Sequence, residues 1–385
     1  MSISKFNRLN KDIYFIMSMA FILYSIQAFF FNILDTRLPV FHLYLGYLFL
    51  INLKYLYKID SFLKFTLIYF LLAEVVLFIL YFIIVDHTNT FIFFRLLIAY
   101  FILILTAIMI NKDTTYNSKK IFAYTITVFF ILSLVIHLFF WDYFANIFYF
   151  KIKSDEAMYG LKILGFVDRL YSLFFNPLTT AFTFFILFLI LIDLKYRNYY
   201  IIFFIFILSI LAFSRAAIVA YFLFFSLVAI MKSSLSWKFT FFILVVIMLT
   251  FIQDIPILSN IYESITTGKD SQGSAQVHSS DIEYGINMIF NIGNGFFNLK
   301  EGLHYIESWI LGLGAITGYS GNIMLSMFLG TILYKAMVLK NKTKLYGLVS
   351  VGVILLLFPM YRNHMAVFFL GIYLFQTIKK EKTHG

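Results

Sequence analysis

Apolar runs about as long as a bilayer is thick recur along this sequence. The stretch 91–110, FIFFRLLIAYFILILTAIMI, shows the type, with Arg95 as its one charge. About 20 such residues cross roughly 30 Å of hydrocarbon as a helix. No water reaches the backbone in that layer, so each N–H and C=O must find its partner inside the segment, and a helix does this for a single run. The chain is therefore expected to be an all-α polytopic membrane protein, with residues 1–385 forming a single integral-membrane domain. Composition agrees: 62% of residues are hydrophobic and 13% charged, against about half and about a quarter in soluble domains. The absence of cysteine excludes disulfides, thiolate metal sites and cysteine nucleophiles. After Lys5, Arg8 and Lys11 the first apolar run is full length and lacks an Ala-x-Ala site, so it reads as an uncleaved first span.

The runs place about 12 transmembrane helices, at 13–31, 39–53, 62–85, 91–110, 121–140, 174–192, 199–213, 216–231, 239–252, 308–334, 345–359 and 365–378. Two of these assignments divide a longer run. A single helix over 199–231 would be about 50 Å long, more than one ordinary span needs. Polar clusters interrupt both long runs, Ser214-Arg215 in one and Tyr361-Arg362-Asn363-His364 in the other. Two short helices joined by a polar turn fit each run better. With twelve spans and both termini cytoplasmic, 20 of the 30 Lys and Arg residues fall on the inner side, as the positive-inside rule requires. Merging both runs would turn Lys232, Lys238 and the cluster 335–344 outward. The net charge of +11 is thus mostly an anchoring pattern and calls for no nucleic acid.

Two outer segments are long, 141–173 and 253–307. The second carries polar turns and an amphipathic stretch near 282–297 suited to the interface. Loops of this length in compact proteins are usually functional or disordered, and the aromatic residues interleaved here favour order. No internal repeat is evident.

The few cations on the outer side carry the candidate chemistry. Arg215, in LAFSRAAIVAY, sits in a short turn with apolar flanks. It either binds an anionic group such as a lipid-borne pyrophosphate, for which a planar guanidinium is suited, or snorkels from a helix end. The short turn favours the first. Arg362 stands in an equally short outer turn and reads the same way. His364 beside it reads as a polar tip residue or, less readily, as a base. In HYIESWILGLGAITGYSG, 304–321, Glu307 marks the mouth of a span, and His304 would share its helix face. Glu307 is either a general base toward a hydroxyl or an acid favoured at a helix N-terminus. The glycines that follow have the spacing GxGxxxG with no preceding strand, so they are a packing feature and not a nucleotide loop. Arg169, with Lys162 and Lys153, lies in the first outer segment and is a further candidate for the same anion. Glu74 and Arg95 fall within spans, at different depths. Nothing has the spacing of a zinc site.

These segments resemble a known family. LSILAFSRAAIVAYFLFFSLV, 208–228, is similar to the Ser-Arg-Gly-Ala segment of the O-antigen polymerase and ligase superfamily. ESWILGLGAITGYSGNIML, 307–325, resembles the segment just after that family's large periplasmic loop, with Gly318 matching a glycine about ten residues beyond a polar pair. The plan of many spans, cytoplasmic termini and one large periplasmic loop late in the chain is also similar. The resemblance implies a GT-C-like glycosyltransferase of the bacterial inner membrane. Such an enzyme joins glycans carried on undecaprenyl pyrophosphate at the periplasmic face, with no cofactor or metal and possible help from a chain-length regulator protein. It implies that Arg215, Arg362 and Arg169 hold pyrophosphate and that Glu307 or His304 serves the acceptor hydroxyl. The ligase branch has a histidine where this chain has Glu307-Ser308, which favours the polymerase branch, usually called Wzy. A ligase acting on lipid A-core stays open because His304 is near, as does a flippase for lipid-linked repeats. An acyltransferase fits less well, since its His and Arg/His motifs are missing.

Overall fold

A computed structural model describes residues 12–33, 38–58, 90–110, 118–140, 162–163, 167–168, 170, 172–174, 176–212, 214–232, 283–284, 286–287, 309–338, 340–357 and 363–376, with helical positions scattered between 61 and 79. Nearly all of these residues are helical. α1 spans Ile13–Ile33, and α2 spans Val40–Asn52 and runs on as a 3-10 turn over Leu53–Lys58. α3 is Thr90–Ile110, and α4 is Lys119–Val135, extended by a π-helical turn over Ile136–Phe140. There follow α5 Pro177–Asp193, α6 Tyr199–Leu211, α7 Arg215–Lys232, α8 Trp309–Val338, α9 Lys342–Leu357 and α10 His364–Gln376. The exception is a small antiparallel hairpin in the first long polar segment. It pairs β1, Lys162–Ile163, with β2, Val167–Asp168, setting Lys162 opposite Asp168.

Both long apolar runs are divided. α6 ends at Leu211, and the Ser214 carbonyl then accepts from Ile218 N–H at 2.9 Å as α7 begins. α9 ends at Leu357, and α10 starts behind Asn363, whose side chain accepts from Ala366 N–H at 3.2 Å. The expected helix 239–252 lies outside the described residues, as does most of 253–307.

Local chemistry sets the helix ends. Asn176 caps α5 by accepting from Thr179 N–H at 2.9 Å, with Pro177 in the first helical position where no N–H is needed. Asp12 is buried and caps α1 through Tyr14 N–H at 2.8 Å, while its second oxygen accepts from Ser118 N–H at 2.8 Å. One carboxylate thus starts α1 and pins the start of α4. α5 and α8 both finish in a C-terminal turn with lysine in the left-handed conformation, Lys195 at φ 52° and Lys340 at φ 51°. Tyr196 N–H reaches back to Leu191 O at 2.9 Å, and Asn341 N–H to Ala336 O at 3.3 Å, the bonding of a Schellman end where glycine is the usual occupant.

α5 is the axis of the assembly. Every residue from Thr179 to Leu191 is buried, and α6, α7, α9 and α10 pack around it. α10 is buried from Met365 to Gln376 and lies between α5 and α3. Helices apolar on all sides need apolar neighbours on all sides. Phe21 of α1 shows how they are met: its ring lies 5.2–5.6 Å from those of Phe129, Phe174, Phe184 and Phe369. Two glycines let helices approach closely. A Cβ at Gly371 would collide with Thr106 of α3, and one at Gly347 with the Tyr373 hydroxyl.

The outer faces are apolar as well. α4 buries Phe122, Ile126 and Phe129 and turns Tyr124, Val128 and Ile131 outward, all more than half exposed. In water such a face would be an adhesive patch; against hydrocarbon it is matched. Two stretches, Ile13–Phe31 and Lys119–Phe139, are long and apolar enough to cross a membrane.

A polar knot ties α5, α9 and α10 at one end of the bundle. Lys344 Nζ lies 3.3 Å from Asp193 Oδ2, donates to the Tyr373 carbonyl and sits 3.6 Å from the centre of the Tyr373 ring. Asn341 donates to the other Asp193 oxygen at 3.0 Å, and Tyr373 Oη donates to the Lys344 carbonyl at 3.2 Å. Lys344 is 1% exposed and the Asp193 side chain 8% exposed, so solvent relieves these charges little. Removing one partner of such a buried pair costs about 3–5 kcal/mol, and replacing both with apolar groups costs far less. Asp193→Leu should therefore lower the melting temperature of the detergent-purified protein sharply, and Asp193→Leu/Lys344→Met should recover most of it. Equal melting of the single variant and the parent would show that the pair does not hold these helices.

Candidate functional site

At the end of the bundle opposite this knot, several chain segments meet. Leu170 N–H donates to Leu211 O at 3.0 Å, joining the first long polar segment to the end of α6 just ahead of the α6–α7 turn. Ser172, at φ 54°, exchanges a 2.7 Å hydrogen bond with Thr180 of α5, and Leu173 N–H donates to Ser133 of α4. The Phe174 ring then meets Tyr24 edge-on at 5.2 Å. Tyr24 meets Phe41 the same way, and Phe41 meets Phe368 of α10 at 6.1 Å. This aromatic chain links the start of α5 to the starts of α2 and α10.

A three-residue relay lies beside that chain. Gln27 Oε1 accepts from Phe41 N–H at 3.1 Å and lies 3.2 Å from His42 Nδ1. His42 Nε2 lies 2.7 Å from His364 Nδ1, with the two rings perpendicular. The proton positions follow from the partners. A backbone N–H can only donate, so the amide atom facing it is the oxygen, and that oxygen takes its second hydrogen from His42 Nδ1. A neutral His42 then presents a lone pair at Nε2, to which His364 donates from Nδ1. His364 is left basic at Nε2, a nitrogen that is itself buried.

This differs from the sequence expectation for His364, which reads as the tip of a polar turn. It opens α10 instead, half-buried and bonded to a histidine 322 positions earlier. His42 and Gln27 carry no motif. Their one signal is polarity inside otherwise apolar runs, and neither has a sequence neighbour that would suggest the other.

Arg215 is the first residue of α7, with Ser214 as its cap: Ser214 is 2% exposed, and its hydroxyl accepts from Ala217 N–H at 3.5 Å. A cation there opposes the helix dipole, whose N-terminal end favours anions, so capping does not account for it. Arg169, Arg362, His304 and Glu307 lie outside the described residues. Two of the four have a described chain neighbour: Leu170, after Arg169, is bonded to the end of α6, and Asn363, after Arg362, caps α10. Among the described residues no group of three His, Asp or Glu side chains is placed to hold a metal ion. The chain matches no family model and no curated protein.

Leucine at Gln27 would leave Phe41 N–H and His42 Nδ1 without their acceptor, which costs about 1–3 kcal/mol per buried polar group. Gln27→Leu should therefore melt several degrees below the parent, whereas Gln27→Glu, which keeps an acceptor oxygen, should lose less. If both variants melt with the parent, the relay contributes no cohesion at this end.

Proposed function

We propose that this chain is a twelve-span glycosyltransferase of the bacterial inner membrane. It polymerises undecaprenyl-pyrophosphate-linked oligosaccharide repeat units at the periplasmic face, as in O-antigen or a related surface polysaccharide. Both termini and the Asp193–Lys344 knot face the cytoplasm, and the Gln27–His42–His364 end faces the periplasm. The carrying observation is the 3.0 Å bond from Leu170 to Leu211. It brings the segment that contains Arg169 to the turn that leads into Arg215, as two cations clasping one pyrophosphate would require.

In this reaction the acceptor hydroxyl oxygen attacks the anomeric carbon of the donor sugar. The bond from that carbon to pyrophosphate breaks, and the pyrophosphate leaves with the electron pair. Negative charge therefore grows on the leaving group, and fixed cations and helix N-termini stabilise it most when they are already in place. α5, α7 and α10 all begin at this end of the bundle, so their positive ends add to Arg215, Arg362 and Arg169. Glu307 or His304 orients the hydroxyl and takes its proton. The apolar outer faces of the helices give the polyprenyl chains a surface to lie on.

Arg215→Ala and Arg362→Ala should each leave the protein inserted yet reduce surface polysaccharide to a single repeat unit, read as loss of the ladder on a gel. Normal ladders from both variants would remove these residues from the mechanism, and loss of all attached repeats on gene deletion would point to a ligase or flippase. Sidedness has a direct test because the chain has no cysteine. Ser271→Cys should react with an impermeant maleimide in spheroplasts, and Asn341→Cys only after the membrane is opened.

A further inference from the structure

The starts of α4 and α6 and the turn after α5 enclose an open cavity lined by Lys119, Lys120, Lys195, Tyr196, Arg197 and Asn198, with Ala123 at its side. Four of these side chains are cations and none is acidic. Helix-end electrostatics do not call for this charge, although Lys119 Nζ lies 5.8 Å from the centre of the Tyr14 ring. Lys119 and Lys120 occupy the first turn of α4, and Arg197 and Asn198 immediately precede α6; the dipole disfavours cations at both positions and favours an anion. Lys195 holds a left-handed backbone at φ 52°, where glycine would be relaxed. The floor is rigid and neutral. Tyr196 is buried, bonds through its hydroxyl to Lys119 O at 3.4 Å, and lies 5.8 Å from the Tyr14 ring and 6.1 Å from the Phe122 ring. Burial raises the Tyr196 hydroxyl above its ordinary pKa, so it stays a donor.

The surroundings indicate the form of the anion. Tyr199 and Tyr200 are each 78% exposed and Tyr124 is 72% exposed beside the cavity, the placement of aromatic rings at a membrane–water interface. Farther along the same helices the outward residues are apolar, Val128 and Ile131 on α4 and Phe203 on α6. A charged head end thus continues into an apolar flank. We propose that this cavity binds the phosphate of an anionic phospholipid, with its acyl chains along the outward flank of α4 and α6. The site rests on the bilayer placement proposed above and is independent of the glycosyl-transfer chemistry, since it lies at the opposite end of the bundle from Arg215.

The test compares melting temperatures of the purified full chain in nanodiscs of phosphatidylcholine, the same nanodiscs containing phosphatidylglycerol, and phosphatidylcholine nanodiscs with added inorganic phosphate. Phosphatidylglycerol should stabilise the parent, and inorganic phosphate should not. Lys119→Gln/Lys120→Gln/Arg197→Gln should lose that gain and weaken phosphatidylglycerol retention by about tenfold or more in native mass spectrometry. Lys195→Gly supplies the contrast: relief of the left-handed turn should raise its melting temperature in phosphatidylcholine while its gain from phosphatidylglycerol shrinks. Equal stabilisation by both lipids, an undiminished gain in the triple variant, or reproduction of the gain by inorganic phosphate would each overturn the lipid site. A failed polysaccharide ladder assay would leave it standing.

Discussion

The bundle depends on a helix with no side to spare. α5 is buried from Thr179 to Leu191, and a helix apolar around its whole circumference is soluble in neither water nor a half-built protein. It fixes what its neighbours must be. α6, α7, α9 and α10 each turn an apolar face toward it, and the close contacts at Gly347 and Gly371 follow from fitting several helices around one axis. Two polar groups along α5 find partners close by: Thr180 bonds to Ser172, and the Ala181 carbonyl accepts from Ser209 at 2.7 Å. Cohesion in the middle of the bundle is therefore shape and apolar contact, while the chemistry is displaced to the two ends.

Those ends differ in kind. One gathers several lysines and Arg197 around two unusual lysine-terminated helix ends and a buried ion pair. The other holds an amide, two imidazoles and several capped helix starts, with few charges among the described residues. Helix starts lie at both poles, α4, α6 and α9 at the first and α5, α7 and α10 at the second.

Much of this fold was legible in the apolar runs, and the reason is physical. Where Ser214-Arg215 interrupts the run from Tyr199 to Met231, hydrocarbon length and the cost of a charge both require a break, and the helices stop at Leu211 and restart at Arg215. The same holds for the break before His364. Pairings between distant helices were not legible. Lys344 meets Asp193 across 151 positions, and His364 meets His42 across 322, and nothing local to these residues encodes a partner. Asp12 caps two helices, and its contact with Ser118, 106 positions on, likewise has no local signal. Arg215 was legible as an oddity, and its position at the start of α7 gives that oddity a helix dipole to oppose. The small hairpin at 162–168 had no apolar pattern to announce it.

α10 carries a contact at each pole: His364 closes on His42 at one, and Tyr373 closes on Lys344 at the other. It is also the last of these helices to leave the ribosome. Until it arrives, α3 and α5 lack the neighbour that covers them, and Lys344 lacks the ring and carbonyl that complete its surroundings. The bundle then behaves as a split ring awaiting its pin. A chain that lacked α10 would therefore be open at both poles at once, because the same helix supplies the partner of His42 and the surroundings of Lys344.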